Sequence, residues 1–416
     1  MISGSKKNYL NNSTSTFLKQ GSIKLTGMMA GLIVSIHIAR FHGIDVLGNY
    51  ALIMSGLSVS SILFSYGINL SAVRYIDITN KTKSLENIRF EATKEYVNLA
   101  IKSVLGLNIL MIIALYYNLL DINHQTMFLW SIICVLTGYE KILLDIIKVS
   151  GSTGQYEVLS SLTKPIAIVT FLYMETKLET SILLSFALNY AIVFIVSGKK
   201  TPHAELEKYP DLKSYHGMGG ALIQPICNYL ILQVIGINFD SSAIGIYNIA
   251  NKLSSLASIS LSLLNIVSAS KYNHLIREQR INTLNVELRA NNYFALSIAI
   301  AVFLSMIAFG QTVIRIFEVG NVGYAYIILI ILTFNEVGNV ITGPNAMILN
   351  LLGRQKVFMK VNLIYLSSVL LSCFVLGFHG NLTVFVIMLI ISSISKNLVS
   401  LLYLRQKFGV KAAFQL

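Results

Sequence analysis

Lys252 stands inside the run SAIGIYNIANKLSSLASISLSLLNIVSASKY, residues 242–272, with no aspartate or glutamate within one turn of it. The run is apolar enough to lie in a bilayer, and a charge held near its middle costs at least about 2.5–3.5 kcal/mol. Such an ammonium needs water, a counter-charge or an anionic ligand. Its polar neighbours share its face: Asn248, Lys252, Ser255, Ser258, Ser262 and Asn265 follow at helical spacing and form one stripe. A second stripe, Ser55, Ser58, Ser61, Ser65 and Asn69, lies earlier in the chain, with Ser55 falling at the position of Lys252 after a shift of 197 residues. Serines in membrane helices also serve as small packing residues that bond back to their own backbone. Two copies of the stripe, one holding a lysine and two asparagines, favour a wetted interior instead.

Other ions fall within apolar stretches. In YEKILLDIIKVSG, Lys141, Asp145 and Lys148 share a face and Glu140 lies beside it; a structural Lys141–Asp145 bridge is an equal alternative there. TFNEVGNVITGPN places Glu336 near mid-depth with Thr333 and Asn339 on its side, the last apolar run contributes Lys396, and the first offers His37 with Arg40 near its end. The cations suit an anionic cargo; Glu336, Asp145 and Glu140 are candidates to bind or release a coupling ion. Gly220 and Pro225 in HGMGGALIQPICNYL, and Gly343–Pro344, interrupt helices and supply candidate hinges, because proline removes a backbone hydrogen bond. Gly27 and Gly31 form a GxxxG, a weak sign of close helix approach.

Enzymatic signatures are missing from the sequence. It contains no HExxH, GxSxG or GxGxxG, and VFIVSGKKT fails as a phosphate loop because Val193 replaces the first glycine and Lys200 the magnesium-binding hydroxyl. Cys134, Cys227 and Cys373 form no CxxC and no metal-type cluster. No metal and no cofactor are expected, and the pattern reads as a carrier more than an enzyme.

These residues must be positioned by membrane helices. Of 416 residues, 54% are hydrophobic and 12% charged, with a mean hydropathy of +0.66; soluble domains carry about 25% charged residues. Runs long enough to cross about 30 Å of hydrocarbon recur about twelve times, at roughly 23–40, 46–73, 98–119, 127–148, 157–174, 181–197, 218–238, 242–269, 291–309, 323–343, 357–377 and 382–403. In the fifth, Glu157 and Lys164 shorten the apolar part. With the N-terminus cytoplasmic, 26 of the 32 Lys and Arg residues fall on the cytoplasmic side and three outside, so both termini read as cytoplasmic. The net charge of +13 therefore marks topology and lipid contact, not nucleic-acid binding.

The expected organisation is a cytoplasmic segment 1–22, a six-helix lobe 23–197, a cytoplasmic loop 198–217, a second six-helix lobe 218–403 and a tail 404–416. The shift of 197 residues superposes Gly48 and Tyr50 on Gly245 and Tyr247, Ala72 on Ala269, and Arg74–Tyr75 on Lys271–Tyr272. Six spans followed by six in the same orientation predict an all-α polytopic protein whose lobes are related by a pseudo-twofold axis along the membrane normal.

LGNYALIMSGLSVSSILFSYGINLSAVRYI, SSAIGIYNIANKLSSLASIS and GPNAMILNLLGRQK, in that order and spacing, resemble the polysaccharide-exporter branch of the multidrug/oligosaccharidyl-lipid/polysaccharide (MOP) superfamily, specifically O-antigen flippases of the Wzx type. A major-facilitator carrier fits worse, since RYIDITNKTKSLENIRF lacks the glycine–aspartate–double-arginine signature. The resemblance implies a two-lobed carrier in the bacterial inner membrane that moves an undecaprenyl-diphosphate-linked oligosaccharide by alternating access. Membrane lipids, a polysaccharide polymerase and a chain-length regulator are the implied partners. On this reading Lys252, Arg40, Lys141, Lys148 and Lys396 attract the diphosphate, while Asn248, Ser255, Ser55 and Ser58 meet sugar hydroxyls. The alternatives are a membrane-embedded glycan polymerase or ligase, and a cation-coupled drug exporter of the same superfamily.

Overall fold

A computed structural model describes residues 3–65, 96, 124–149, 153–174, 178–197 and 215–411. All regular structure among them is helical. The α-helices are α1 (Ser3–His42), α2 (Ile44–Leu63), α3 (His124–Val149), α4 (Thr153–Ser161), α5 (Thr163–Tyr173), α6 (Leu178–Ser197), α7 (Tyr215–Asn238), α8 (Ser241–Ser254), α9 (Ile259–Arg277), α10 (Ile281–Arg315), α11 (Val322–Thr342), α12 (Asn345–Leu351), α13 (Gln355–His379) and α14 (Leu382–Phe408). A single 3₁₀ turn, Ser255–Ser258, joins α8 to α9.

Among the described residues eight helical stretches are long and apolar enough to cross a membrane, and Val158–Tyr173 and Thr180–Val196 are shorter apolar helices. They fall on the expected spans 1, 2 and 5–12. α3 covers the fourth span. The third span, the 74–97 connection and most of the 198–217 loop lie outside the described residues. Large apolar side chains point outward, as a lipid-facing surface requires: Phe41, Phe309, Phe374 and Leu371 are each more than 60% exposed.

Local chemistry explains the helix ends. Asp240 caps α8, accepting from the Ala243 N–H at 2.6 Å; Asn321 and Asn381 cap α11 and α14 in the same way. α11 stops at Gly343, whose φ of 77° a side chain would resist, and Pro344 follows. The fifth span is divided at Leu162. Pro165 cannot donate to the Ser161 carbonyl, so the helix restarts there. Pro225, by contrast, sits within a continuous α7.

The chain forms two compact units. One comprises residues 1–25, 35–53 and 226–416; the other comprises 26–34 and 54–225, so the division in α7 falls at Pro225. In the first unit α8, the 3₁₀ turn and α10 pack on α11, and α13 and α11 pack on α14. Small residues allow the close approach: Ala257, Ala295 and Ala299 are fully buried beside Val340, and Ser260 donates to the Ala295 carbonyl. Tyr272, Leu284, Ile348 and Leu404 build a second core in this unit, joining α9, α10, α12 and α14. In the second unit α6 packs on α3 and α5, and α4 on α3.

Candidate functional site

Two glycines of the internal repeat fix the crossing of α2 and α8 inside the first unit. A Cβ on Gly48 would lie 1.9 Å from the Ser241 carbonyl oxygen, and one on Gly245 would lie 2.5 Å from the Ile44 carbonyl oxygen. Ile44 and Ser241 are themselves equivalent under the 197-residue shift. The contact is therefore reciprocal, with each glycine seated on the other copy's first helical turn, as in an isologous twofold interface. GxxxG in α1 is only half used this way: a Cβ on Gly27 would strike Ser161, whereas among the described residues none lies within 4 Å of a Cβ on Gly31.

Seven residues past Gly245, Lys252 occupies the last turn of α8. Its Nζ donates to Ser35 Oγ at 2.6 Å and lies 5.4 Å from the centre of the Tyr50 ring. Tyr50 belongs to the G-x-Y start of α2, so the repeat motif itself supplies the aromatic face on which the cation rests. Among the described residues no carboxylate pairs with Lys252; a neutral hydroxyl and a π-face hold the ammonium. Nearby on α8, Asn248 Nδ2 is buried without a hydrogen-bond partner among the described residues.

The serine stripe behaves more modestly than its spacing suggests. Ser255 donates to the Lys252 carbonyl, Ser258 to Ser255, and Ser262 to Ile259. In α2, Ser58 donates to Met54 and Ser61 to Ser58. Their protons are satisfied within their own helices, which leaves oxygen lone pairs for outside donors. Ser262 uses one to accept from Lys24 Nζ at 2.6 Å. Ser255 and Ser258 also lie at the two ends of the 3₁₀ turn, where the tighter winding departs from the continuous helix that the spacing predicts.

A second cluster in the same unit gathers around Lys396, whose Nζ lies 4.3 Å from the centre of the Tyr365 ring. Glu336 and Cys227 are within electrostatic reach of it, and Glu336 is also within reach of Tyr247. Among the described residues no cation is close enough to Glu336 to form an ion pair. Asn335 Oδ1, next to it in α11, is buried without a hydrogen-bond partner among the described residues. One turn on, Asn339 accepts from Asn397 at 2.7 Å and from Ser393 at 3.3 Å, tying α11 to α14.

The second unit treats its acid differently. Glu140 is 3% exposed and accepts from Lys164 at 2.8 Å and from Asn189 Nδ2 at 2.7 Å. Thr163 in turn donates to Asn189, and the Lys164 ammonium lies 4.4 Å from the centre of Phe186. Lys164, which shortens the fifth apolar run in the sequence, is thus built into α5 as the partner of Glu140. Lys141 pairs with Asp145 at 3.3 Å along α3, the structural alternative that the sequence left open. The Lys148 side chain lies outside the described residues. Arg40 pairs with Glu318 at 3.1 Å on an exposed surface of the first unit.

The sequence marks Tyr50 only as a repeat position and Lys164 only as a charge shortening the fifth apolar run; neither they nor Ser35, Lys24, Asn189 or Tyr365 are assigned to a site from it. Tyr50 carried a usable signal: a motif tyrosine repeated at Tyr247 on helices that also carry the polar stripe. The other partners come from distant helices, and no local spacing announces them.

No protein-family model and no curated protein sequence matches the chain. Solved structures do. A multidrug resistance MATE family transporter of the MOP superfamily, in an inward-facing conformation, aligns over 94% of this chain and 98% of its own length, with a TM-score of 0.70 at 12% identity. The fold is that of the MOP-superfamily transporters. A MATE protein in its straight conformation gives a TM-score of 0.67 at 12% identity over 95% of both chains. A third MOP-superfamily transporter, from Pyrococcus furiosus, is described by a reversed polarity of its binding pocket that suggests a different function; it covers 95% of this chain and 96% of its own, with a TM-score of 0.65 at 12% identity. A two-lobed arrangement of about twelve membrane helices accords with this fold.

Proposed function

We propose that the chain is an inner-membrane flippase that carries a polyprenyl-diphosphate-linked oligosaccharide, of the O-antigen or related surface-polysaccharide kind, from the cytoplasmic to the outer leaflet by alternating access. The observation that carries this reading is Lys252. An ammonium within an apolar helix, held by Ser35 and Tyr50 with no carboxylate pairing it among the described residues, is a cation reserved for an anion that arrives from elsewhere. A diphosphate is such an anion, and the buried Asn248 amide supplies a donor beside it. The polyprenyl tail can remain in lipid while the head group passes. Lys396 would extend the cationic path, and Pro225, at the division between the compact units, would bend as the carrier switches.

The test uses cells whose surface glycan depends on this chain, at matched protein levels. Lys252→Ala and Lys252→Glu are expected to lower glycan output at least about tenfold, the order of one lost charge-assisted contact, and Lys252→Arg to keep most of it. Unchanged output with Lys252→Glu removes the diphosphate role.

A cation-coupled exporter is the second reading, favoured by Glu336, which has no ion-pair partner among the described residues. It predicts efflux of an organic cation that Glu336→Gln abolishes and Lys252→Ala leaves intact. Glycan lengthening by the purified protein would instead support a polymerase or ligase.

A further inference from the structure

Six cations gather at one end of the first unit: Arg354, Lys356 and Lys360 at the start of α13, and Arg405, Lys407 and Lys411 at the end of α14 and just beyond it. All six are exposed, and among the described residues none of them forms an ion pair. The carboxylates described on α10 and the turn before it are already taken, Glu287 by Lys271 at 2.7 Å and Glu278 by Arg280 at 3.1 Å. Packing fixes where the cations stand. The Arg354 guanidinium carbon lies 5.3 Å from the centre of the Phe408 ring, which joins the start of α13 to the end of α14. Beyond Phe408, Asn285 of α10 grips the chain: its amide donates to the Gly409 carbonyl at 3.0 Å, and its carbonyl accepts from the Lys411 N–H at 2.8 Å. Val410, between them, is fully buried in the core that joins α9, α10, α12 and α14. Apolar stripes lead away from the cluster on both helices. On α14, Val384, Ile391, Leu398 and Leu402 recur seven, seven and four residues apart, and Arg405 follows three later on the same face. On α13, Lys356, Lys360, Ile364 and Leu371 follow at intervals of four, four and seven. The six apolar side chains of these stripes are each more than 40% exposed.

We infer that this end of the unit is a binding site for an anionic phospholipid, whose phosphate meets the cations while its acyl chains lie along the two stripes. A guanidinium matches a phosphate with two parallel N–H donors, and stacking on an aromatic ring holds it ready for that contact. Lysines beside it add attraction for a negative headgroup. The stripes decide between a lipid and a soluble anion: inorganic phosphate uses the cations alone, whereas a lipid uses both the charge and the apolar faces that end in it. Long basic side chains at any membrane boundary reach the headgroup region, and general attraction of that kind asks for no particular arrangement. Here the cations stand at the ends of two lipid-facing stripes, one of them seated on a ring that links the two helices. The site is separate from Lys252 and holds whatever the cargo is.

Native mass spectrometry of the purified full-length protein in detergent reads the site directly. Phosphatidylglycerol and phosphatidylcholine of the same acyl chains are supplied in equal amounts, the retained lipids are counted, and thermal melting checks folding. The wild type is expected to retain phosphatidylglycerol in preference, and excess inorganic phosphate should not displace it. Each cation at a headgroup contributes about fivefold in affinity. Arg354→Gln should therefore lower the preference about fivefold, and the triple variant Arg354→Gln, Arg405→Gln, Lys407→Gln about a hundredfold. Arg315→Gln removes one exposed cation at the opposite end of α10 and should leave the preference unchanged. If the triple variant does not melt cooperatively, Arg405→Gln with Lys407→Gln is read in its place, with a loss of about twenty-fivefold. Equal retention of the two lipids by the wild type overturns the site. Equal losses in Arg354→Gln and Arg315→Gln also overturn it, by reducing the cluster to general charge. Displacement by inorganic phosphate overturns the lipid as occupant and leaves a soluble-anion site.

Discussion

Consider an alanine placed at Gly48. The new Cβ would lie 1.9 Å from the Ser241 carbonyl oxygen and 2.8 Å from its carbonyl carbon. Both are backbone atoms, so no rotamer change relieves the clash. Ordinary contact begins near 3.4 Å, so α2 and α8 would have to part by about 1.5 Å, and overpacking of this kind costs about 1–3 kcal/mol or more. Gly245→Ala meets the Ile44 oxygen at 2.5 Å, requires about 0.9 Å, and falls lower in the same range. The reciprocal geometry adds a sharper expectation: once one alanine has separated the helices, the second finds part of its space already made, so the double variant costs less than the two singles together. Gly31→Ala is the control. Among the described residues nothing lies within 4 Å of its added Cβ, and helix propensity alone predicts a gain of about 0.5–1 kcal/mol. Thermal melting of the purified variants in one detergent ranks all four. A Gly48→Ala protein that melts with the wild type, or a double variant whose losses simply add, refutes the crossing.

Three further outcomes are expected. Glu140→Gln strands the Lys164 ammonium in a site where its partner was only 3% exposed, and should destabilise by about 3–5 kcal/mol in denaturant melts, whereas Glu140→Gln with Lys164→Met recovers much of that; equal losses in both would contradict a closed ion pair. Glu336→Gln should leave cargo binding unchanged and remove the response of transport to an ion gradient, read in proteoliposomes with and without the gradient; a normal response excludes Glu336 as the coupling acid. Pro225→Ala restores the N–H that the Ala221 carbonyl lacks, so it should slow transport while sparing cargo affinity; an unchanged rate argues against a hinge at that position.

Much of the architecture was legible because membranes reduce folding to length and hydropathy. Apolar runs of about 20 residues read as helices, since only a helix satisfies its backbone polar groups within a single segment of that length. Ends were legible where side chains cap them: Gly343–Pro344 marks the end of α11 and Asp240 the start of α8. The interruption of the fifth span at Leu162 was less so, because its clearest polar marks, Glu157 and Lys164, flank the break, and the residue that makes it is Pro165, whose missing N–H restarts the helix. The 3₁₀ turn after Lys252 left no trace at all. Ser-Leu-Ala-Ser is compatible with either winding, and its Ala257 packs with the fully buried Ala295 and Ala299 of a distant helix.

The candidate site divides along the same line. Each ion could be found by type, as a charge in an apolar run, but its partner could not, because the partner comes from another helix. Within each unit, however, the partners reveal one scheme used twice. Glu140, Lys164 and Phe186 come from the fourth, fifth and sixth spans; Glu336, Tyr365 and Lys396 come from the tenth, eleventh and twelfth. An acid is followed by a cation and an aromatic ring in one copy, and by the ring and then the cation in the other. The first copy closes acid on cation at 2.8 Å, and Asn189 completes the acid's hydrogen bonding. In the second copy the cation rests on the ring at 4.3 Å, with the acid at electrostatic range. A carboxylate already closed on a cation has little to gain from another, whereas one outside such a pair leaves its oxygens open to an arriving cation. On the coupling proposal, the same acid, cation and ring recur in both copies, and the lysine standing one span later in the second leaves Glu336 as the acid that Glu336→Gln tests.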